Sequence, residues 1–218
     1  MITKWSEMPI GILQEIDEIN GLHISDDEKT FMATALLAGM DYDDFINLSL
    51  DEARALVEKA SFIQTMPNRV KVKNQYKIGD TTYVLQKDIM GITTAAYIDF
   101  QAILPTVDRH LPELMAIILV PKGHAYNEGY SNADAIEEIR ENLNVEEALS
   151  IADFFTNRCE KLTEQILWKS KAAIWAMKLK AKSKEEREML EVLRIQMEVA
   201  FSNLSSGFGY HWWKRWPK

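Results

Sequence analysis

The sequence predicts a mainly α protein with one small β-hairpin, built as an N-terminal helical cluster, the hairpin, and further helices ending in a long antiparallel helical hairpin. Three observations carry this. Ser25-Asp26-Asp27-Glu28, Ser49-Leu50-Asp51-Glu52 and Ser183-Lys184-Glu185-Glu186 each fit the S-x-x-E capping box, in which the Ser hydroxyl accepts from the third helical N–H and the Glu reaches back to the Ser N–H. From Asn144 to Leu179 the chain has neither Pro nor Gly and keeps apolar residues three or four apart. Gly79-Asp80 separates two stretches of mostly even-spaced apolar residues, a hairpin signal of the type II′ kind.

Taken in order, Pro9 opens a helix through Ile12, Ile16 and Ile19 that Gly21 closes. Phe31, Ala35 and Leu36 form the inner stripe of a second helix, ending at Gly39, and Asp41, Asp43 and Asp44 cap a short turn over Tyr42–Asn47. Leu56, Ala60 and Ile63 mark another helix before Pro67. Helices this short need neighbours to be stable, so residues 1–66 read as a cluster. Val70–Ile78 and Thr81–Leu85 are the expected strands, Thr93–Leu104 is helical again, and Leu114–Val120, apolar nearly all round, is a central buried helix stopped by Pro121 and Gly123. Ser131 and Asn144 are further caps. Val145, Leu149, Ala152, Phe155, Cys159, Leu162 and Ile166, then Trp168, Ala172, Trp175 and Leu179, extend one helix over roughly 35 residues, or about 50 Å. After the Ser183 box, Met189 or Leu190, Leu193, Met197, Phe201 and Leu204 form the returning helix, ended by Gly207 and Gly209. The expected division is residues 1–104 and 105–218, with one continuous domain as the alternative.

The chain has 218 residues, 47% hydrophobic and 27% charged, which is globular rather than disordered composition. Its only cysteine, Cys159, excludes an intrachain disulfide and any zinc site with two thiolates, and on the inner stripe of the long helix it is expected to be an inert core thiol. The longest apolar run is far short of the ~20 residues of a membrane span, and the opening MITKWSEMPIG lacks a basic segment leading into an apolar one, so a cytoplasmic protein without a leader is expected. The net charge of −8 is unevenly spread: residues 1–167 carry 14 Lys and Arg against 28 Asp and Glu, residues 168–218 carry 11 against 5. A basic end suits nucleic acid or an acidic protein surface; the acidic body repels phosphates and favours the second.

No H-E-x-x-H, G-x-G-x-x-G, P-loop or G-x-S-x-G occurs in the sequence. Of His23, His110, His124 and His211, only His110 has an acid at helical spacing, Glu113, and the pair reads as a helix start. Pro121-Lys122-Gly123-His124 reads as a turn leaving the buried helix. The expectation is therefore a non-enzyme with no metal and no cofactor. The candidate partner-binding residues are aromatic and basic: Trp168 and Trp175, seven apart on one helix face, and Phe208, Tyr210, Trp212, Trp213, Lys214, Arg215 and Trp216 at the C-terminal end. Aromatics and Arg dominate binding hot spots. The competing readings are helix core or an intermolecular seam for the first pair, and a tail folded over the helical hairpin for the rest.

Trp5-Ser6-Glu7-Met8-Pro9-Ile10, the Tyr76-Lys77-Ile78-Gly79-Asp80-Thr81-Thr82-Tyr83 hairpin, Thr93-Thr94-Ala95-Ala96-Tyr97-Ile98-Asp99 (with Ala96 where a Gln is usual), Leu111-Pro112-Glu113-Leu114 through Val120-Pro121-Lys122-Gly123, Tyr126-Asn127, Gly129-Tyr130 and Ile151-Ala152-Asp153-Phe154-Phe155 together resemble small assembly proteins of tailed bacteriophages. The resemblance spans residues 5–155. It implies a tail assembly chaperone or neighbouring morphogenesis factor, without catalysis, that binds tape-measure or tube protein in the host cytoplasm. The alternatives are a structural virion component, such as a head–tail adaptor, connector or tail protein, and a nucleic-acid-associated protein using the basic end. Other phage structural proteins are the expected partners, self-association is open, and no membrane is involved.

Overall fold

A computed structural model describes residues 1–87, 91–103, 106, 109–181 and 183–208, with the side chains of 160, 163, 180 and 200–208 outside the description. The protein is mostly helical with a small three-stranded antiparallel sheet. Its described residues fall into two compact units, 1–152 and 153–208.

In the first unit, α1 (Ile10–Asn20), α2 (Asp26–Ala38), α3 (Tyr42–Ile46) and α4 (Leu50–Ala60) form the expected cluster. Ser25 accepts from Glu28 N, and Ser49 with Glu52 makes the full reciprocal box. Asp41 occupies the N-cap of α3 without a side-chain bond to it. The inner stripes are offset from those expected. In α1 the buried residues are Ile10, Gly11, Leu13 and Ile16, the face that packs against α2, α6 (Leu111–Ile118) and α7 (Asn132–Asn142), and Pro9 is the N-cap rather than a first-turn residue. In α2 they are Ala33, Thr34, Ala35 and Leu37, small enough for α1, α3 and α4 to pack closely, while Phe31 lies exposed and rests on Phe45.

The strands β1 (Gln75–Ile78) and β2 (Thr81–Leu85) pair antiparallel, Ile78 opposite Thr81, so Gly79-Asp80 is a two-residue loop. Gly79 has φ 55° with the next residue on the ordinary side, the φ pattern of a type II′ turn. Residues 70–74, expected as strand, are bound elsewhere. Asn68 N donates to Glu146 Oε1 at 3.1 Å, Val70 N to Ser150 Oγ at 3.0 Å, and Lys73 Nζ pairs with Glu147 at 2.6 Å. The first turns of α8 (Val145–Lys180) thus take the Val70 amide, the Lys73 amide donates to the Tyr76 hydroxyl at 2.8 Å, and β1 begins only at Gln75.

Helix α5 (Thr94–Ile103) has Thr93 accepting from Ala96 N at 3.2 Å. Helix α6 (Leu111–Ile118) is the central element: Leu111, Pro112 and all of Leu114–Ile118 are buried, among α1, α5 and α7 (Asn132–Asn142). The expected helix through Val120 ends at Ile118. Leu119–Pro121 becomes β3, pairing with β2 from Tyr83 opposite Pro121 to Leu85 opposite Leu119. Pro121 is tolerated because β3 is an edge strand. This pairing joins residues on both sides of position 104, and the two-unit division falls instead between 152 and 153.

Two backbone bonds close the first unit on itself. Ile10 N donates to Leu143 O at 3.0 Å and Val145 N to Met8 O at 2.9 Å, around an isolated bridge between Pro9 and Asn144. Asn144 also caps α8, accepting from Glu147 N at 3.0 Å.

In the second unit the remainder of α8 is followed by α9 (Lys184–Phe208). Ser183 accepts from Glu186 N at 3.1 Å, as its sequence box requires. Helix α9 runs through Gly207 to Phe208; Gly209 lies outside the described residues.

Candidate protein-binding surface

Lys171 bonds Glu198 at 2.8 Å, and Lys178 bonds Glu191. Seven residues along α8 therefore match seven in the opposite sense along α9, which fixes the antiparallel pairing. Arg194 bridges Glu191 and Glu198, at 2.7 Å to each. Arg194 first, then Lys178, hold the Glu191 carboxyl down to about 2, and Lys171 leads in holding Glu198 below its ordinary value. Buried Ile174 and half-buried Leu167, Leu190 and Met197 supply the apolar part of the pairing.

The arrangement leaves much of the arm's apolar surface outward. Trp168 is 71% exposed and Trp175 64%, with Leu179 exposed beyond them. The core reading of these tryptophans is thereby overturned: Ile174 and Leu167, one residue before each, take the inward direction. On α9 the expected set holds at Met197 and, of Met189 or Leu190, at Leu190; it fails at Leu193, which is exposed together with Met189, Val192, Ile195 and Val199. Phe201 and Leu204 have side chains outside the described residues. Ile166 and Met177 are also exposed. Lone exposed apolar residues mean little; a set this dense along two helices makes the arm the candidate interaction surface among the described residues.

Helix geometry places the two ridges. Trp175 follows Lys171 by four residues and precedes Lys178 by three; Ile195 follows Glu191 by four and precedes Glu198 by three. Residues so spaced share a helix face. Trp168, Trp175 and Leu179 therefore flank the ion-pair row on one side, and Val192, Ile195 and Val199 flank it on the other. Sequence reasoning missed the second ridge, although its three- and four-residue spacing was available. Of the remaining candidates, Tyr210, Trp212, Trp213, Lys214, Arg215 and Trp216 lie outside the described residues, as does the Phe208 side chain.

A second feature lies in the first unit. Thr93–Asp99 and Pro121–Tyr130, far apart in sequence, meet where the Tyr126 hydroxyl donates to Asp99 Oδ2 at 2.9 Å and accepts from Asn132 Nδ2 at 3.1 Å. Burial, reinforced by the Asp99 carboxylate, pushes the Tyr126 hydroxyl well above its ordinary pKa, so it stays protonated and donating. The 121–131 loop is tight: Gly129 has φ 77°, and a Cβ there would come within 2.6 Å of His124 Nδ1, itself 3.1 Å from the Glu128 carbonyl. Beside it is a cavity of about 170 Å³ lined by residues including Gln86, Thr93, Ala96, Ile117, His124 and Tyr126. Its walls bring together the hydroxyls of Thr93 and Tyr126, an amide and an imidazole already turned to a backbone carbonyl; the neighbouring Asp99 carboxylate is held by Tyr126. His110 sits at the α6 N-cap with Nδ1 3.3 Å from Glu113 Oε1, the helix start expected, and His124 N donates to Pro121 O at 3.1 Å in the expected turn. Cys159 is buried. Among the described residues, no three His, Cys, Asp or Glu side chains are grouped to hold a metal, and no helix is long and apolar enough to cross a membrane.

Compared with protein-family models, curated proteins and solved structures, the chain matches none.

Proposed function

We propose that the protein is a non-enzymatic assembly factor of tailed bacteriophages, of the tail assembly chaperone kind. It acts in the host cytoplasm by binding tape-measure or tube protein through the α8–α9 arm. The observation that carries the reading is the outward apolar surface of that arm, with Trp168 and Trp175 as anchors. A chaperone for helical segments needs shaped greasy surface, adaptable side chains and reversible contact; Met177 and Met189 are exposed on the same arm and supply the adaptability. The convergence of 93–99 with 121–130, both within the stretch that resembles phage assembly proteins, supports the reading further.

The test is co-expression with a candidate tape-measure protein and recovery through a tag on this chain. The expected result is a complex that is lost when Trp168 and Trp175 are both changed to Ser, together with absence of the protein from purified particles. Stoichiometric retention in particles would replace the chaperone reading with that of an adaptor, connector or tail protein. Failure to recover any phage structural protein would remove both. Binding to single-stranded DNA that weakens steeply with salt would favour the nucleic-acid alternative.

A further inference from the structure

We infer that the Trp168–Trp175 face of the arm pairs with the same face of a second copy, α8 of each chain lying antiparallel on α9 of the other. The inference rests on the reading of this face as a protein-binding surface: the second copy covers it in the absence of a client, and a client segment displaces that copy.

Charge selects both the occupant and its orientation. Residues 164–180 carry four Lys and one Glu, whereas residues 184–199 carry five Glu against Lys184, Arg187 and Arg194. The arm is thus a basic helix beside an acidic one. A two-fold axis running along the arm brings the basic helix of one chain over the acidic helix of its partner, in both places at once, as an isologous contact requires. The alternative, an axis across the arm, stacks α8 on α8 and opposes lysines to lysines. With the axis along the arm, the α8–α9 register within one chain also sets the heights between chains. Trp175 then meets the Val192, Ile195 and Val199 ridge of the second copy, large rings against β-branched side chains. The spacing fits such a seam: Trp168, Ala172, Trp175 and Leu179 step by four, three and four residues, and Val192, Ile195 and Val199 by three and four.

The area is adequate. Four tryptophans at about 150 Å² each remove about 600 Å², half of the roughly 1,200 Å² at which stable interfaces begin. Leu179, Val192, Ile195 and Val199 from both chains supply the rest.

Sedimentation equilibrium of the full chain at micromolar concentration is expected to give twice the mass of one chain. Trp168→Ser with Trp175→Ser is expected to give a monomer of unchanged helical circular dichroism. A second pair of variants reads the orientation. Lys171→Glu with Lys178→Glu makes both helices acidic, Glu191→Lys with Glu198→Lys makes both basic; each alone is expected to be monomeric, and their mixture to dimerise. Ala172→Cys and Ile195→Cys chains, mixed and oxidised, are expected to cross-link to each other, while Ala172→Cys alone is not. A monomeric native chain overturns the pairing and leaves the client-binding proposal standing. A cross-link from Ala172→Cys alone overturns the orientation. A dimer that captures no phage structural protein removes the assembly reading and leaves the pairing.

Discussion

Tyr83 and Glu138 are 55 residues apart in sequence, and the Tyr83 hydroxyl donates to Glu138 Oε2 at 2.7 Å. The other carboxylate oxygen accepts from Asp80 N at 3.1 Å and Thr81 N at 3.2 Å, so one side chain of α7 holds the hairpin turn and the strand after it. Burial pushes the Glu138 carboxyl up, and the bonds from Tyr83, Thr81 and Asp80 outweigh it, leaving it below its ordinary value.

Glu138→Ala is therefore expected to destabilise the first unit by about 2 kcal/mol, since it strands a buried hydroxyl and two turn amides. Urea unfolding should show the midpoint falling with little change in slope. Glu138→Gln, which keeps an acceptor, should cost less. Gly79→Ala should also destabilise, because its Cβ would come within 2.6 Å of Glu138 Oε1 at a φ that favours glycine.

Leu114 is fully buried at the middle of α6. Leu114→Ala is expected to cost about 3 kcal/mol through lost transfer energy and the cavity left behind. Thermal unfolding monitored in the first unit would check it; a change under 1 kcal/mol would mean that α6 is not central to the core.

Acid should loosen the arm. Glu191, held down to about 2, and Glu198 titrate lower in the fold than in the unfolded chain. Their contribution is fully present above the unfolded value near 4.5 and is lost as pH falls through the folded values. Protection factors of the α9 amides, with exchange corrected for its intrinsic slowing in acid, are expected to fall between pH 4.5 and 2.5, and added salt should reduce the difference.

Cys159 is buried on α8. A chromogenic disulfide reagent should react with it far more slowly than with a free thiol, and at once after denaturation. Rapid reaction of the native chain would show that this stretch of α8 opens readily.

The sequence made the caps, the hairpin and the long helix legible because each depends on neighbours a few residues away. Ser49 and Glu52, Asn144 and Glu147, and Gly79 act within one turn of chain. What was not legible depends on distant residues. Leu119–Pro121 continues an apolar run whose periodicity cannot separate a buried helix from a buried strand; only the presence of β2 beside it decides. Val70 looks like a strand residue until Ser150 takes its N–H. Of the candidate surface, Trp168 and Trp175 could be read from composition and spacing. Their direction could not, because α8 and α9 each carry apolar residues on more than one face. The ion pairs of Lys171 and Lys178 fix which face is inward.

The seam between Met8–Ile10 and Leu143–Val145 has a consequence for biosynthesis. Met8–Ile10 has no backbone partner there until Leu143–Val145 has been translated and has cleared the ribosome. Up to that moment the Ile10 amide and the Met8 carbonyl must be hydrated or shielded by something else. Truncation just before Leu143 would therefore leave the first unit permanently unzipped at Met8–Ile10, however well its helices form.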